Sequence, residues 1–379
     1  MTTSKIDLND LHDKNINYLI GAGASADLFP TLALKMKTDG KKETIETLAT
    51  EFDKTGTEHL KALLFMYYYE ECIKPVSSVD FTHLDDKEQV VIDNYKKFMK
   101  LNLEILRRKR GYDRKINFFT TNYDSCLAYA ADELYEEKSI RFNINDGSRG
   151  FHKKIVEARN FDCMTTESGI FDRNKEVQRQ INLIHLHGSA FWRKHNDSIL
   201  VDYSSAEQIV SERSIDSIYY SDFKGMLESG KDSVESLYSI DIDESHENTF
   251  NLTQHQFYEE YNQLPIVNPT KWKFHETVFE EHYYQMLRHL SYELEKPNSV
   301  LITFGFSFAD EHIRNLIKRS LANPTLQVYI CCYRETMIPE LQKYFSDFNN
   351  IKYIVHEEGK ALDFSYFNSH VLTLGEDDA

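Results

Sequence analysis

Short apolar runs alternate along the chain with charged segments, and most of these runs end at glycine, asparagine, histidine or aspartate. Apolar runs of roughly four to eight residues bounded by such turn formers predict buried β-strands. The runs are 16–20, 116–121, 181–186, 264–267, 299–304, 326–332 and 351–355. Because helical segments separate the strands, we predict the α/β class, with a Rossmann-like, mostly parallel sheet and helices on both faces.

The interval 40–110 is more highly charged and follows a helical period. Five apolar side chains spaced 4, 3, 3 and 4 residues apart form one stripe of a helix, namely Val91, Tyr95, Phe98, Leu101 and Ile105. Gly111 is placed to end that helix. We therefore predict one α/β domain over residues 1–379, with a helical insertion at about 40–110 and further insertions at about 140–180 and 195–260.

Charge limits the classes of partner. The 379 residues include 61 acidic and 44 basic side chains, which give a net charge of −17. Because binding to nucleic-acid phosphates requires clustered cations, direct nucleic-acid binding is disfavoured. The one basic run, Arg107–Arg110, is best interpreted as a helix C-terminus stabilised by the helix dipole, with contact to a partner as the minority alternative.

Five scattered cysteines include no Cys-x-x-Cys pair, so the sequence contains no zinc-ribbon motif. The polar segment Met1–Asp13 does not resemble a signal peptide, and no uncharged apolar run reaches the ~20 residues of a membrane span. We expect a cytoplasmic protein with reduced thiols. Cys331 and Cys332 lie in an apolar run and are predicted to be core residues.

Glycines and polar residues that could bind a ligand or take part in catalysis follow the predicted strands. The loop Gly21-Ala22-Gly23-Ala24-Ser25 follows the first strand, where glycines let a backbone approach a pyrophosphate. A tight structural turn explains such a loop equally well. The Gly305–His312 loop follows another strand. In this loop Ser307 would contact phosphate or ribose, and Asp310 would bind a ribose. The alternative for Asp310 is that it only caps the helix 311–321.

Asn122 and His187 also follow strands. The Asn122 amide would hold a ribose hydroxyl and orient a water molecule, with a helix N-cap as the alternative. A histidine at a strand end is suited to general base catalysis, because its pKa lies near neutrality. Since His185 and His187 share a strand face, buried packing or a metal pair is the alternative, but no further ligand is evident and no metal is expected.

The order of these four motifs resembles that of the sirtuin-like superfamily, in particular the NAD⁺-hydrolysing domains of bacterial antiphage defence systems. The resemblance implies that Asn122 lies near the nicotinamide ribose and that His187 is the general base. It further implies that Gly21, Ala22, Gly23 and Ser25 bind the pyrophosphate, that Gly305 and Ser307 lie on the adenosine side and that Asp27, by a looser match, lies near the ribose. Asp124 and Asp310 are also predicted to be cofactor-binding residues.

Two departures separate this chain from deacetylating sirtuins. Those enzymes carry a four-cysteine zinc module between the His-Gly and Gly-Ser motifs, and residues 189–304 here contain no cysteine. Their second motif reads Gln-Asn, whereas this chain has Thr121-Asn122. The resemblance therefore implies cleavage of NAD⁺ to nicotinamide and ADP-ribose rather than deacetylation.

The resemblance also implies regulated assembly. We expect a homo-oligomer that answers to a separate partner such as a HerA-type ATPase, because the chain leaves little room for a sensor domain after the sheet. The 40–110 insertion is a candidate assembly surface. Two alternatives remain open: a catalytically silent NAD or ADP-ribose sensor, and, with little support from the residues, a nuclease acting with a DNA-translocating partner.

Overall fold

The computed structural model describes residues 2–7, 11–38, 41–109, 114–168, 175–204, 209–215, 218–231, 233–268 and 277–372. The strands are β1 (Thr2–Thr3), β2 (Asn15–Ile20), β3 (Ala33–Thr38), β4 (Lys41–Thr44), β5 (Lys115–Thr120), β6 (Asn143–Asn145), β7 (Ser148–Arg149), β8 (Lys154–Val156), β9 (Thr166–Ser168), β10 (Lys175–Val177), β11 (Gln180–His185), β12 (Trp192–His195), β13 (Ser198–Val201), β14 (Ser299–Phe304), β15 (Gln327–Cys331) and β16 (Ile351–Ile354).

The α-helices are α1 (Ile45–Thr55), α2 (Glu58–Tyr68), α3 (Lys74–Ser77), α4 (Asp86–Arg108), α5 (Cys126–Glu137), α6 (Ile218–Ser229), α7 (Val234–Leu237), α8 (Glu247–Tyr261), α9 (Thr277–Glu295), α10 (Glu311–Ser320), α11 (Ile338–Phe345) and α12 (Phe364–Tyr366). Short 3₁₀ turns cover Ala22–Ala24, Ala158–Asp162, Glu212–Ser214 and Glu335–Met337, and π-helical turns cover Tyr69–Ile73 and Phe367–Val371. No helix within the described ranges is both long and apolar enough to cross a membrane.

The chain forms two compact units. The first, here called the sheet unit, comprises Met1–Leu28, Thr82–Gly188 and Glu281–Ala379; the second, the helical unit, comprises Phe29–Phe81 and Ser189–Glu280. The predicted insertion at 40–110 contains parts of both, because α1 to α3 belong to the helical unit and α4 to the sheet unit. Of the other two intervals, 140–180 lies in the sheet unit and 195–260 in the helical unit.

Eight strands of the sheet unit form one parallel sheet in the order β1-β16-β15-β14-β2-β5-β11-β6. Counted along the chain, the six central strands run third, second, first, fourth, fifth, sixth, which is the Rossmann order. The predicted α/β class and parallel sheet are confirmed. The order reverses between β2 and β14, so any ligand crevice is expected beyond the carboxyl ends of these strands.

Both faces of the sheet are covered because successive side chains of each strand point to opposite sides. On one face α9, α10 and α11 pack on the strands in one buried apolar cluster. It includes Leu19, Phe119, Ile184 and Leu301 of the strands and Met286, Leu290, Ile313 and Leu341 of the helices. On the other face Tyr18 meets Phe98 of α4 edge-on at 4.8 Å, and Phe304 stacks on Phe364 of α12 at 4.8 Å. Helices on both faces are therefore confirmed.

Helix α4 begins with a capping box, in which Asp85 Oδ1 accepts from the amides of Lys87 and Glu88 and the Glu88 carboxylate accepts from the Asp85 amide. It ends at Arg108, with basic side chains in its last turn, as the sequence predicted. The predicted stripe is buried except for Leu101, which is half-buried. Gly111, predicted to end this helix, and Arg110 lie outside the described residues.

One predicted strand was wrong. Residues 264–267 follow α8 in a turn, in which the Leu264 amide donates to the Tyr261 carbonyl, and only Ile266 makes an isolated bridge. Pro265 has no amide N–H to contribute to a ladder, which weakens a strand at this position. The apolar run is buried without being part of a sheet.

A line of buried amides crosses the sheet near the amino ends of its strands. Asn17 of β2, Asn117 of β5 and Asn182 of β11 lie in register. Asn117 Nδ2 donates to Asn17 Oδ1, and Asn182 Nδ2 donates to Asn117 Oδ1, each at 2.8 Å. The line continues through Gln180 to Asn143. Because a one-residue slip would leave these amides unpaired, the ladder favours a single strand register.

The helical unit has its own aromatic packing. Phe65 of α2 meets Tyr261 of α8 edge-on at 5.7 Å, and Phe52 of α1 packs against Phe223 of α6 at 6.5 Å. Within this unit β3 pairs with β4 and β12 with β13, all antiparallel. These contacts give the unit a core of its own.

Candidate active site

Two glycine loops meet where the strand order reverses. The Gly21–Ser25 loop follows β2, and the loop from Gly305 to Asp310 follows β14. The Gly23 amide donates to the Gly305 carbonyl at 2.9 Å, and the Gly21 amide donates to the Phe304 carbonyl at 2.9 Å. The sequence motifs are thus joined at the edge of the sheet where a dinucleotide is expected.

The close approach of these loops explains why they contain glycines. A Cβ at Gly21 would lie 2.5 Å from the Gly305 carbonyl oxygen, and one at Gly23 would lie 2.8 Å from the Gly305 Cα. Gly305 itself has φ +65°, in the left-handed region that favours glycine. The structural alternative raised from the sequence therefore accounts for the glycines, and pyrophosphate binding by Gly21, Ala22, Gly23 and Gly305 stays a prediction.

Ser25, the last residue of the first loop, lies at the centre of a buried hydrogen-bond network. Its hydroxyl donates to Asp124 Oδ2 at 2.9 Å, and because that uses its only proton, the Tyr95 hydroxyl, 2.7 Å away, is the donor to Ser25 Oγ. Burial, together with nearby Asp124, raises the pKa of Tyr95 well above its ordinary value, so its hydroxyl remains protonated. The other Asp124 oxygen accepts from the Cys126 amide at the start of α5.

Asn122 joins this network with one side of its amide only. Its Nδ2 lies 3.4 Å from Ser25 Oγ, whereas its Oδ1 is buried and accepts no hydrogen bond from any described residue. Asn122 does not cap α5, which begins at Cys126, so the N-cap alternative was wrong. An unpaired buried carbonyl costs about 1–3 kcal/mol, and such atoms call for an explanation such as a bound water or ligand.

His185 supports Asn122 from below. Its Nδ1 lies 3.1 Å from the backbone carbonyl oxygen of Asn122, and burial lowers the pKa of His185. His282 of α9 is affected by the same burial and by His185, which lower its pKa to about 4. Both imidazoles are therefore neutral at pH 7, and packing, one of the alternatives for the His185–His187 pair, describes His185.

His187 follows β11 in a turn, and its side chain is 12% exposed. Its Nε2 lies 3.0 Å from Asp310 Oδ2, without the alignment of a full hydrogen bond. The ring of Tyr283 from α9 lies 6.1 Å from the imidazole, centre to centre. Burial and nearby Asp310 raise the pKa of Tyr283, so this neighbour is a neutral phenol.

The loop that carries Asp310 is conformationally strained. Phe308 has φ +61°, which is rare for a bulky side chain, and its ring is buried against Phe306 and Phe345. Asp310 Oδ1 accepts from the Ile313 amide at 3.0 Å, so the predicted helix cap is present in addition to the contact with His187. Ser307 is exposed, and its Oγ accepts from the Ala309 amide at 3.3 Å.

The structure thus brings together Ser25, Asn122 and Asp124 in one network, and His187 with Asp310 in another contact. Asp27 and Ser307 are exposed at the surface. Sequence reasoning missed Tyr95 and Tyr283 as neighbours of the site. Tyr95 was assigned to an apolar stripe, and the only available signal was its hydroxyl on an otherwise apolar helix face.

A second cluster of ionisable groups lies at the opposite end of the strands. Asp162, His289 and Glu293 place one ligand atom each within 4.8 Å of one another. However, Lys115 Nζ lies 3.3 Å from Glu293 and 3.8 Å from Asp162, and Lys296 Nζ lies 2.8 Å from Glu293. Since two ammonium groups already neutralise the carboxylates, this donor set fits an ion-pair network better than a metal centre.

Comparison with known families agrees with this geometry. The family model of the SIR2-like domain matches residues 116–354, well over half of the chain. The match includes Asn122, Asp124, His187 and the loop from Gly305 to Asp310, whereas the Gly21–Ser25 loop precedes it and is tied to the site by the contacts described above. A search of curated proteins finds no match. SIR2-like domains use NAD⁺, and this chain belongs to the SIR2-like domain family.

Proposed function

We propose that the protein hydrolyses NAD⁺ at the bond between nicotinamide and ribose, releasing nicotinamide and ADP-ribose. The observation that carries the proposal is the unpaired, buried Oδ1 of Asn122 on the same sheet edge as His187 and the two glycine loops. An amide oxygen of this kind is suited to accept a hydrogen bond from a ribose hydroxyl or from water.

The protein does not need to protonate the leaving group in this reaction. When the C1′–N bond of NAD⁺ breaks, its electron pair neutralises the pyridinium, so nicotinamide departs without protonation. The protein must stabilise positive charge on the ribose and supply water. In the proposal Asn122 orients water or a ribose hydroxyl, water oxygen bonds to C1′, and His187 accepts the proton.

Hydrolysis is favoured over deacylation by the composition of the chain. Residues 189–304 contain no cysteine, so the four-cysteine zinc module of the deacetylating sirtuins has no ligands here. The peptide cleft that accompanies that module is likewise not expected. Water is then the acceptor for ADP-ribose.

We also propose that the activity is regulated and serves antiphage defence by depleting NAD⁺ in the cytoplasm. The Asn122 Oδ1 atom is closed off from solvent, so access of substrate to it requires movement of the residues that cover it. The resemblance to defence proteins supports homo-oligomerisation and a partner such as a HerA-type ATPase. The net charge of −17 supports contact with DNA through that partner rather than directly.

The test is to incubate NAD⁺ with the purified protein, alone and with candidate partners, and to quantify nicotinamide and ADP-ribose by chromatography. We expect His187→Ala to reduce turnover by about 10²–10⁴-fold, which is the usual contribution of a general base. The matched control is His152→Ala, which removes an exposed imidazole. Turnover that is identical in the two variants would contradict the assignment, and NAD⁺ binding without any turnover would favour a sensor.

A further inference from the structure

The geometry points to Asp310 as a positioning residue that forms a dyad with His187, rather than as a ribose ligand. This inference rests on the proposed function for its catalytic meaning. Asp310 Oδ2 lies 3.0 Å from His187 Nε2, and the Asp310 side chain is only 6% exposed. A carboxylate so well shielded from solvent interacts strongly with the imidazole beside it.

The dyad would fix which ring nitrogen acts as the base. A carboxylate next to Nε2 favours the tautomer with its proton on Nε2, which leaves the lone pair on Nδ1. It also stabilises the imidazolium that forms when Nδ1 accepts a proton from water or a ribose hydroxyl. The proton remains on the imidazole until it passes to solvent, and Asp310 remains ionised throughout.

The fold holds Asp310 in place independently of any ligand. Its Oδ1 is committed to the Ile313 amide at the start of α10, so that only Oδ2 faces His187. The left-handed Phe308 precedes it, and Arg314 Nη1 donates to the Phe308 carbonyl at 2.8 Å. Arg314 in turn lies over the Tyr344 ring at 4.3 Å. A strained loop that is fixed at several points is typical of a residue held for function.

A tyrosine of α9 also lies beside this pair. Tyr283 of α9 faces both His187 and Asp310, and Tyr123 lies near Tyr283. Burial keeps Tyr283 a neutral phenol, so within the sheet unit as described Asp310 supplies the negative charge beside His187.

The experiment compares Asp310→Asn and Asp310→Ser, which both retain a helix cap but remove the charge. The control is Asp85→Asn, the same exchange at the N-cap of α4. We expect the Asp310 variants to lose between about tenfold and 10⁴-fold in kcat, the upper limit being that of a buried aspartate behind a catalytic histidine. The acidic limb of their pH–rate profile should move to lower pH, because the imidazole loses the charge that favours its protonation.

A second readout does not depend on turnover. Proton NMR of the His187 imidazole, assigned with His187→Gln, follows its titration without NAD⁺. We expect the titration midpoint to move to lower pH in both Asp310 variants and to stay unchanged in Asp85→Asn. A midpoint that moves in the Asp310 variants, together with a wild type that does not cleave NAD⁺ either alone or with candidate partners, would support the dyad and overturn the hydrolase. Cleavage by the Asp310 variants with unchanged kcat, pH profile and midpoint would overturn the dyad alone.

Discussion

Asn117 and Asn122 belong to the same segment of chain, five residues apart, yet they are used in opposite ways. Asn117 lies within β5 and pairs both ends of its amide with asparagines of the neighbouring strands. Asn122 lies just beyond β5 and leaves its side-chain carbonyl oxygen, Oδ1, buried and unpaired among the described residues. The asparagine ladder is therefore satisfied internally, whereas the carboxyl end of β5 is followed by an amide oxygen without a hydrogen-bond partner among the described residues.

The two asparagines therefore serve different purposes at the two ends of β5: Asn117 stabilises the fold, and Asn122 is available for function. A fully paired amide ladder contributes to stability and register, because breaking it leaves buried groups without partners. An unpaired amide costs free energy, and the fold tolerates such a cost where the group has another use. The same side chain thus has a structural meaning at one position and a functional meaning at the other.

Among the variants that test this comparison, the largest effect is expected for Asn122→Ala. We predict a loss of about 10²-fold or more in NAD⁺ turnover, comparable to the loss of a general base, because Asn122 would orient water or ribose. The free energy of unfolding should stay within about 1 kcal/mol of wild type, since the variant removes a polar oxygen that no described residue satisfies. Steady-state turnover and urea denaturation on the same preparation check both halves of the prediction.

Asn117→Ala should produce the reverse pattern. It deprives the Asn17 oxygen and the Asn182 amide of a partner, so we expect a loss of about 2–4 kcal/mol in unfolding free energy. Asn143→Ala, at the half-buried edge of the same ladder, should lose less than about 1.5 kcal/mol. Equal losses for the two variants in urea denaturation would show that the ladder is not a stabilising unit.

The smallest effect is expected for Tyr95→Phe. The ring remains packed edge-on against Phe364, and only the hydrogen bond to Ser25 is removed. We predict about 1 kcal/mol of destabilisation, together with a severalfold loss of turnover through Asn122. Tyr353→Phe on β16 is the control. Denaturation curves and kcat are measured for both variants, and equal effects of the two substitutions would contradict this prediction.

The strands of the sheet could be predicted from the sequence more accurately than the contacts within the candidate site. The central strands lie within about two residues of their predicted positions, because parallel strands covered on both faces are apolar along their whole length. The run at 264–267 was equally apolar but contains Pro265, and it is a buried loop instead. The edge strands β1 and β6 have only two and three residues, too few to produce a pattern.

Contacts between distant parts of the chain account for what the sequence did not reveal. The asparagines of the ladder interrupt otherwise apolar strands, and their pairing becomes evident only once the register is known. Tyr95 and Ser25 are 70 residues apart, so neither side chain signals its partner. Asp310 was predicted both as a ribose ligand and as a helix cap, but its contact with His187 depends on how the loops after β11 and β14 converge.

The most direct test of the central claim is release of nicotinamide and ADP-ribose from NAD⁺ by the wild-type protein beside Asn122→Ala. We predict equal amounts of the two products from the wild type, and a loss of both from a variant that unfolds at the same urea concentration. Equal release by the two proteins, or no release from a wild type that binds NAD⁺ when it is tested alone and with candidate partners, would contradict the account.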